Sequence, residues 1–171
     1  MKRRWRSAIA QIVLTLLVLG LVLVRVFLYR PMVVRQSSMH PTLEDGDRVL
    51  VNTWNAGLPE RGSIIVLKEP RNGVWVVKRL IAGDGEKLQI MRGVVYVNGR
   101  ALNEPYALPF PDVADDVNLD VPAGTIYVLG DNRPGSQDSR DYGPVPVSNI
   151  IGRAVAVFWP RDRAKWLVPG K

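Results

Sequence analysis

Two side chains in this sequence, Ser38 and Lys78, have the chemistry of a nucleophile and its base, and His40 offers an alternative base. A serine hydroxyl is a weak nucleophile until a neighbouring base accepts its proton. His40 is the only histidine of the chain and lies two residues from Ser38, on the same side of an extended strand. Neighbours along one strand rarely form the in-line hydrogen bond that a Ser-His-Asp triad requires. The spacing therefore disfavours His40 as the base and predicts that it lies at the surface or at the rim of a cleft.

Lysine acts as a base when burial removes its charge, because an ammonium in apolar surroundings loses hydration energy and its pKa falls. Lys78 lies in an apolar run, residues 74–81, in which strand alternation places it on the same face as Val76 and Leu80. A lysine on such a strand also commonly extends its ammonium into water from an edge or an end. The pattern by itself leaves two interpretations of Lys78 open, a buried base and a solvated surface lysine.

Short β-strands are the elements that must position these side chains. From Met32 onward, short apolar runs alternate with turn signals, a pattern typical of an all-β or β-rich domain. The dipeptide Asn98-Gly99 predicts a tight hairpin turn, because both residues tolerate positive φ. Residues 103–120 contain three prolines and several aspartates, and they predict a long, mobile surface loop. In chain order, the predicted strands are 48–52, 63–67, 74–81, 88–91, 94–97, 125–129 and 151–158.

The net charge of +7 belongs to the first 35 of the 171 residues. That stretch has seven basic residues and no acidic one, and the remainder balances 16 Lys and Arg against 16 Asp and Glu. A body without excess positive charge argues against nucleic acid as a partner. The chain has no cysteine, which excludes disulfides and thiolate metal sites. Its length allows one compact domain with its own core and a short appendage.

The N-terminus has the pattern of an uncleaved signal-anchor. A basic cluster in residues 1–6 precedes an apolar run, residues 8–24, that would span roughly 25 Å as a helix. No small-x-small cleavage site follows the run. We therefore predict a cytoplasmic segment at 1–6, a transmembrane helix in the plasma membrane at 7–28 and an extracytoplasmic catalytic domain at 31–171. The heavier basic cluster before the helix sets this orientation, and lipid is an expected partner.

Several motifs follow one another along the chain: Ser38-Met39-x-Pro41-Thr42-Leu43, Lys78-Arg79, Gly130-Asp131-Asn132-Arg133, Ser136-x-Asp138-Ser139-Arg140 and Gly152-Arg153-Ala154. In type and order they resemble the conserved boxes of bacterial type I signal peptidases, which the mitochondrial inner-membrane peptidases share. The resemblance extends from about residue 32 to residue 158. The glycine-rich box that ends at residues 138–140 is too long for a chance match.

The resemblance implies a mainly antiparallel β fold of the signal peptidase type and a serine endopeptidase activity that uses a Ser-Lys dyad. Ser38 would attack the peptide carbonyl and neutral Lys78 would accept its proton, with neither a metal nor a cofactor. By the same resemblance, Ser136 would orient Lys78. An ion pair between Asp138 and Arg140 would hold the loop beside the dyad.

The oxyanion that forms on the attacked carbonyl needs hydrogen-bond donors, and the backbone N–H of Ser38 is the expected first donor. Members of the family supply the second donor two residues before the serine, usually from a small or hydroxyl residue, and this chain has Gln36 there. The resemblance also implies that Met39 helps to form the substrate cleft. After the lysine, residues 82–86 replace the usual Gly-x-Pro-Gly-Asp turn, and two glycines keep a tight turn feasible.

The substrates implied by the resemblance are exported preproteins, cut after small residues at the −3 and −1 positions of their signal peptides. Such a substrate binds as an extended strand with its small side chains in shallow apolar pockets. Two other functions are compatible with parts of the sequence: a self-cleaving protease of the repressor type, and a non-catalytic membrane-tethered scaffold that binds exported chains. A predicted anchor in place of a DNA-binding module disfavours the first. The presence of both Ser38 and Lys78 disfavours the second.

Overall fold

The structure, a computed structural model, describes residues 11–20, 28–54, 57–110 and 116–170. It is mainly β, and every strand pairing within these ranges is antiparallel. The strands are β1 (Tyr29–Val33), β2 (Arg48–Asn52), β3 (Ile64–Lys68), β4 (Trp75–Ala82), β5 (Lys87–Met91), β6 (Val94–Val97), β7 (Arg100–Ala101), β8 (Val117–Asp120), β9 (Thr125–Leu129), β10 (Val145–Pro146), β11 (Ile150–Trp159) and β12 (Lys165–Trp166).

The larger sheet carries the residues that the sequence singles out. Its strands follow the order β1-β2-β11-β3-β4-β9-β10, with β12 paired to β11. Strand β4 lies between β3 and β9, so both of its edges are hydrogen-bonded to neighbours. The smaller sheet has the order β7-β6-β5-β8. A side chain on β4 is therefore surrounded by other strands, which favours burial of Lys78.

Three clusters of buried apolar side chains hold these sheets together. The first packs Met39 and Leu43 against β2 and β11. The second joins the ends of β4 and β9 to the smaller sheet, and the third covers one face of β3, β4 and β9. Each fully buried Leu, Ile or Met contributes roughly 1.5–3 kcal/mol of transfer free energy. The strands next to the site are consequently among the best-packed parts of the domain.

The bounds of the predicted strands agree with the structure to within one residue, and 48–52, 94–97 and 125–129 have the same bounds as β2, β6 and β9. The predicted loop at 103–120 is wrong at its end, where β8 pairs with β5. In β8, Val117 and Leu119 pack against the core while Asn118 and Asp120 are exposed. The alternation was therefore a strand signal that the nearby aspartates obscured. Residues 111–115 of this segment lie outside the described residues.

Residues 11–20 form a helix whose side chains are exposed throughout. The predicted transmembrane helix at 7–28 lies mostly outside the described residues, which omit 7–10 and 21–27. Within the ranges that the structure does describe, no helix is both long and apolar enough to cross a membrane. The next described range begins at Leu28, just before β1. The Leu28 carbonyl accepts a hydrogen bond of 3.0 Å from Thr53 N–H.

Candidate active site

Ser38 lies in the turn between β1 and β2. The base of this turn is closed by a hydrogen bond of 2.8 Å from Val34 N–H to Asp47 O. Ser38 is half-buried, whereas Met39 is 1% exposed and packs beside Leu43 in the core. The apolar side chains thus anchor the turn and leave the serine at its surface. A contribution of Met39 to a substrate cleft stays a prediction, since its side chain lies below that surface.

Lys78 occupies the middle of β4 and is 3% exposed. Its Nζ donates a hydrogen bond of 3.0 Å to Ser136 Oγ. Burial lowers the pKa of Lys78 from its ordinary value of 10.5 to about 8, against the opposing attraction of the Asp138 carboxylate. Of the two interpretations of this lysine, the structure shows the buried one.

The loop that follows β9 is organised around the Asp138 carboxylate, which is fully buried. Arg140 Nε and Nη2 each donate to it at 2.8 Å, and Gly130 N–H donates to it at 2.9 Å. Asp138 also caps the one-turn helix Ser139–Tyr142. A charge-assisted, bidentate pair of this kind fixes both position and direction. The loop therefore presents Ser136 to Lys78 from a rigid frame.

Gly130 brings the loop and the Ser38 turn into contact. A Cβ at this position would lie 2.2 Å from Ser136 Oγ and 2.4 Å from Ser38 O, so only a glycine fits between them. Lys78 binds Ser136, and the Gly130 backbone lies between the Ser136 side chain and the Ser38 carbonyl. The hydrogen bonds of the described residues include none between the Lys78 and Ser38 side chains. The Ser136 hydroxyl and the buried Lys78 amine thus lie close to the turn that carries the Ser38 hydroxyl, which suits proton transfer during nucleophilic attack.

His40 and Gln36 are both engaged at the rim of the turn. His40 Nδ1 is 2.8 Å from Glu44 Oε1, and the His40 side chain is 42% exposed. Gln36 is exposed and has a φ of 75°, a backbone conformation that favours glycine. Its N–H donates to Asp45 Oδ1 at 2.8 Å. The role of Gln36 as an oxyanion donor stays a prediction, because its side-chain amide makes no hydrogen bond among the described residues.

A buried ion pair behind the site was not predicted from the sequence. Arg79 and Asp131 are both fully buried, and Arg79 binds both carboxylate oxygens at 2.8 and 2.6 Å. The Tyr106 ring lies 3.6 Å from Arg79 Cζ, and Thr42 Oγ1 donates to the same carboxylate. Both charged residues lie in motifs that the sequence highlights, but a pairing across 52 residues has no local signal. The pair ties β4, the Ser38 turn and the loop after β9 together.

The described residues contain no group of three or more His, Asp or Glu side chains arranged to hold a metal ion. The groups gathered around Ser38 are instead proton donors and acceptors. What they can perform is attack of a hydroxyl on a carbonyl, with proton transfer through an amine.

The chain resembles known signal peptidases along most of its length. The sequence model of the family described as "Signal peptidase, peptidase S26" matches residues 4–159. Signal peptidase I T of Bacillus subtilis is 37% identical over 91% of this chain and 84% of its own. Thylakoidal processing peptidase 1 of Arabidopsis thaliana is 34% identical over 83% of this chain and 45% of its own. The crystal structure of a signal peptidase I from Enterococcus faecalis is 35% identical, covers 57% of this chain and 97% of that one, and superposes with a TM-score of 0.52. The chain therefore belongs to the signal peptidase family, peptidase S26.

Proposed function

We propose that this protein is a serine endopeptidase that removes signal peptides from exported preproteins after small-x-small sites. The observation that carries the proposal is Lys78, a lysine that is 3% exposed and bonded to Ser136, in the loop whose Asn132 N–H donates to Ser38 O. At pH 7 a lysine with its ordinary pKa is neutral in roughly 0.03% of molecules, whereas a pKa of about 8 gives roughly a tenth. Burial therefore supplies a base that an exposed lysine would not.

In this mechanism, Ser38 Oγ forms a bond to the carbonyl carbon of the scissile peptide while its proton passes to Lys78 Nζ. The Ser38 N–H donates to the resulting oxyanion. Lys78 then gives the proton to the leaving amine as the carbon–nitrogen bond breaks. A water that Lys78 deprotonates attacks the acyl group, and the ester bond to Ser38 breaks as Lys78 returns the proton to Ser38 Oγ, which releases the signal peptide.

The neighbouring residues support these steps. Ser136 orients Lys78 through its hydrogen bond of 3.0 Å, and the pair of Asp138 with Arg140 keeps Ser136 in place. Gln36 is our candidate for the second oxyanion donor, because it lies at the exposed rim of the same turn. Preorganised donors cost no rearrangement when charge develops.

We also propose that residues 7–28 anchor the catalytic domain to the plasma membrane, with residues 1–6 in the cytoplasm. Residues 11–20 of this segment are helical, and their leucines are exposed, with Leu14 62% and Leu17 61% accessible. Apolar side chains exposed around a whole helix are unfavourable in water and favourable in lipid. The anchor would hold the catalytic domain beside the membrane where signal peptides emerge.

Cleavage of a preprotein with an Ala-x-Ala site by the full chain in detergent tests the proposed function. We expect Ser38→Ala to produce no cleavage product, because the variant lacks the hydroxyl that attacks the carbonyl, while the Ser136 hydroxyl serves to orient Lys78. His40→Ala should keep wild-type activity within about threefold, since His40 is bonded to Glu44 at the rim. An inactive wild type would overturn the proposal. Loss of activity in His40→Ala would indicate a Ser-His-Asp triad in place of the Ser-Lys dyad.

The pH dependence of cleavage should follow the ionisation of Lys78. Only the neutral amine accepts a proton, and its fraction rises as the pH approaches the lowered pKa of about 8. We expect kcat/KM to rise about tenfold per pH unit below pH 7 and to level off above roughly pH 8. A series of initial rates from pH 5.5 to 9.5 measures this profile. A half-maximal rate near pH 6.5, where a histidine ionises, would contradict it.

A further inference from the structure

We propose that Asn132 is a positioning residue that aims the oxyanion donor of this enzyme. The inference rests on the proposed function, because it concerns the Ser38 N–H that faces the attacked carbonyl. Asn132 holds the peptide groups on both sides of Ser38, and it does so from the loop that also carries Ser136.

Two hydrogen bonds connect Asn132 to the Ser38 turn. Asn132 Nδ2 donates to Ser37 O at 3.1 Å, and Asn132 N–H donates to Ser38 O at 3.1 Å. The Ser37 carbonyl belongs to the peptide group whose N–H is that of Ser38, and the Ser38 carbonyl belongs to the next one. Asn132 thus fixes two consecutive peptide planes around the nucleophile.

Because the peptide group is planar, the hydrogen bond to Ser37 O also sets the direction of the Ser38 N–H. In a trans peptide the C=O and N–H point in opposite directions. An amide that holds Ser37 O on one side therefore leaves the Ser38 N–H pointing to the other. Among the described residues, no group accepts a hydrogen bond from Ser38 N–H, as expected of a donor that meets its acceptor on the substrate. His40 N–H also donates to Ser37 O, at 3.0 Å, and hydrogen bonds to a carbonyl polarise the peptide and strengthen its N–H as a donor.

The orientation of the Asn132 amide is itself fixed. Asn132 caps the short 3-10 helix Arg133–Gly135, and its Oδ1 accepts from Gly135 N–H at 3.2 Å. A Cβ at Gly135 would lie 2.7 Å from Nδ2, so a larger residue at this position would displace the Asn132 amide. With Oδ1 engaged, Nδ2 faces Ser37. The motif Asn132-x-x-Gly135 therefore couples the oxyanion donor to the same rigid loop that orients Lys78.

The variant Asn132→Asp isolates the donor function. A carboxylate has the same size and still accepts from Gly135 N–H, but it cannot donate to Ser37 O. We expect kcat/KM to fall about 10- to 100-fold and KM to change less than about twofold, because the interaction acts on the transition state. Asn149→Asp is the matched control, since Asn149 Nδ2 donates to Lys68 O at 2.9 Å away from the site. It should retain wild-type rates.

A pair of inhibitors separates positioning from a merely structural role. A peptide aldehyde ending in Ala-x-Ala accepts Ser38 Oγ at its carbonyl carbon, the serine proton passes to Lys78, and the aldehyde oxygen keeps the electron pair as an oxyanion. The matching peptide alcohol forms no such adduct. We expect Asn132→Asp to lower the affinity for the aldehyde by the same 10- to 100-fold factor as kcat/KM. The affinity for the alcohol should stay within about twofold of that of the wild type.

Asn132→Ala, which introduces no charge, should give the same pattern. The inference would be overturned if the affinities for aldehyde and alcohol fell equally, or if the affinity for the aldehyde were unchanged in both variants. These outcomes are distinct from a failure of the proposed function, which would appear as an inactive wild-type chain. Wild-type cleavage together with full activity of both Asn132 variants would reject only the role of Asn132.

Discussion

Lys78→Met should abolish cleavage and, at the same time, make the folded protein more stable. Methionine fills a similar volume but cannot accept a proton, so we expect kcat/KM to fall by about 10⁴-fold. The gain in stability follows from the burial of the lysine, whose side chain is surrounded by strands β3 and β9 and is 3% exposed. Replacing the lysine therefore removes the desolvation free energy of a buried charge, which destabilises the fold but which the catalytic base requires.

The sign and size of that cost follow from the pKa. Lys78 binds its proton less tightly in the folded state, where its pKa is about 8, than in the unfolded state, where it is near 10.5. Protonated Lys78 therefore destabilises the fold by about 3 kcal/mol below pH 8, and this penalty disappears as the pH rises towards 10.5. Loss of the hydrogen bond to Ser136 offsets about 1 kcal/mol. A net gain of about 2 kcal/mol in unfolding free energy is expected at pH 7.

Urea unfolding of the full chain in detergent, at pH 7 and pH 10, measures this effect. The unfolding free energy of Lys78→Met should clearly exceed that of the wild type at pH 7, and the difference should be much smaller at pH 10. Lys68→Met is the matched control, because Lys68 lies on the neighbouring strand β3 with its side chain exposed. It should change stability by less than about 0.5 kcal/mol at both pH values. A Lys78→Met variant that is less stable than wild type at pH 7 would show that the ammonium is well solvated or paired.

Much of the fold could be predicted from the sequence because the strands are short, apolar and separated by strong turn signals. The predicted bounds of β2, β6 and β9 are the observed ones, and the turn at Asn98-Gly99 joins β6 to β7. Strand β8 was missed because acidic residues and prolines surround it, and its alternation matters only once β5 provides a partner. The order of the strands in the sheets was not predicted, since it depends on contacts between distant segments.

The candidate site was predicted in its residue types and only partly in its geometry. Alternation along residues 74–81 predicted the face of Lys78 but left its burial open, because burial depends on neighbours that β4 acquires only in the sheet. The contacts that Asn132 makes with the Ser38 turn join segments more than 90 residues apart. A carbonyl as an acceptor has no sequence signature, so such contacts are visible only in three dimensions.

Asp131→Ala should cost about 3–5 kcal/mol of unfolding free energy, because it leaves the Arg79 guanidinium buried without a counter-charge. The unfolding free energy of a small domain is only about 5–15 kcal/mol in total, so the variant would lose roughly a fifth of it or more. Arg79 keeps its hydrogen bonds to Gly62 O at 2.7 Å and to Thr42 Oγ1 at 3.4 Å, and its contact with the Tyr106 ring. None of these groups carries a negative charge that would replace the carboxylate.

Urea unfolding separates the role of charge from that of packing at this pair. Arg79→Met combined with Asp131→Leu removes both charges, and it should recover about half of the stability lost in Asp131→Ala, since buried ion pairs are often replaceable by apolar side chains. Arg71→Ala is the matched control, because Arg71 pairs with Glu69 while half exposed, and it should cost less than about 1 kcal/mol. A double variant less stable than Asp131→Ala would show that the two side chains matter through their hydrogen bonds to the Ser38 turn rather than through charge balance.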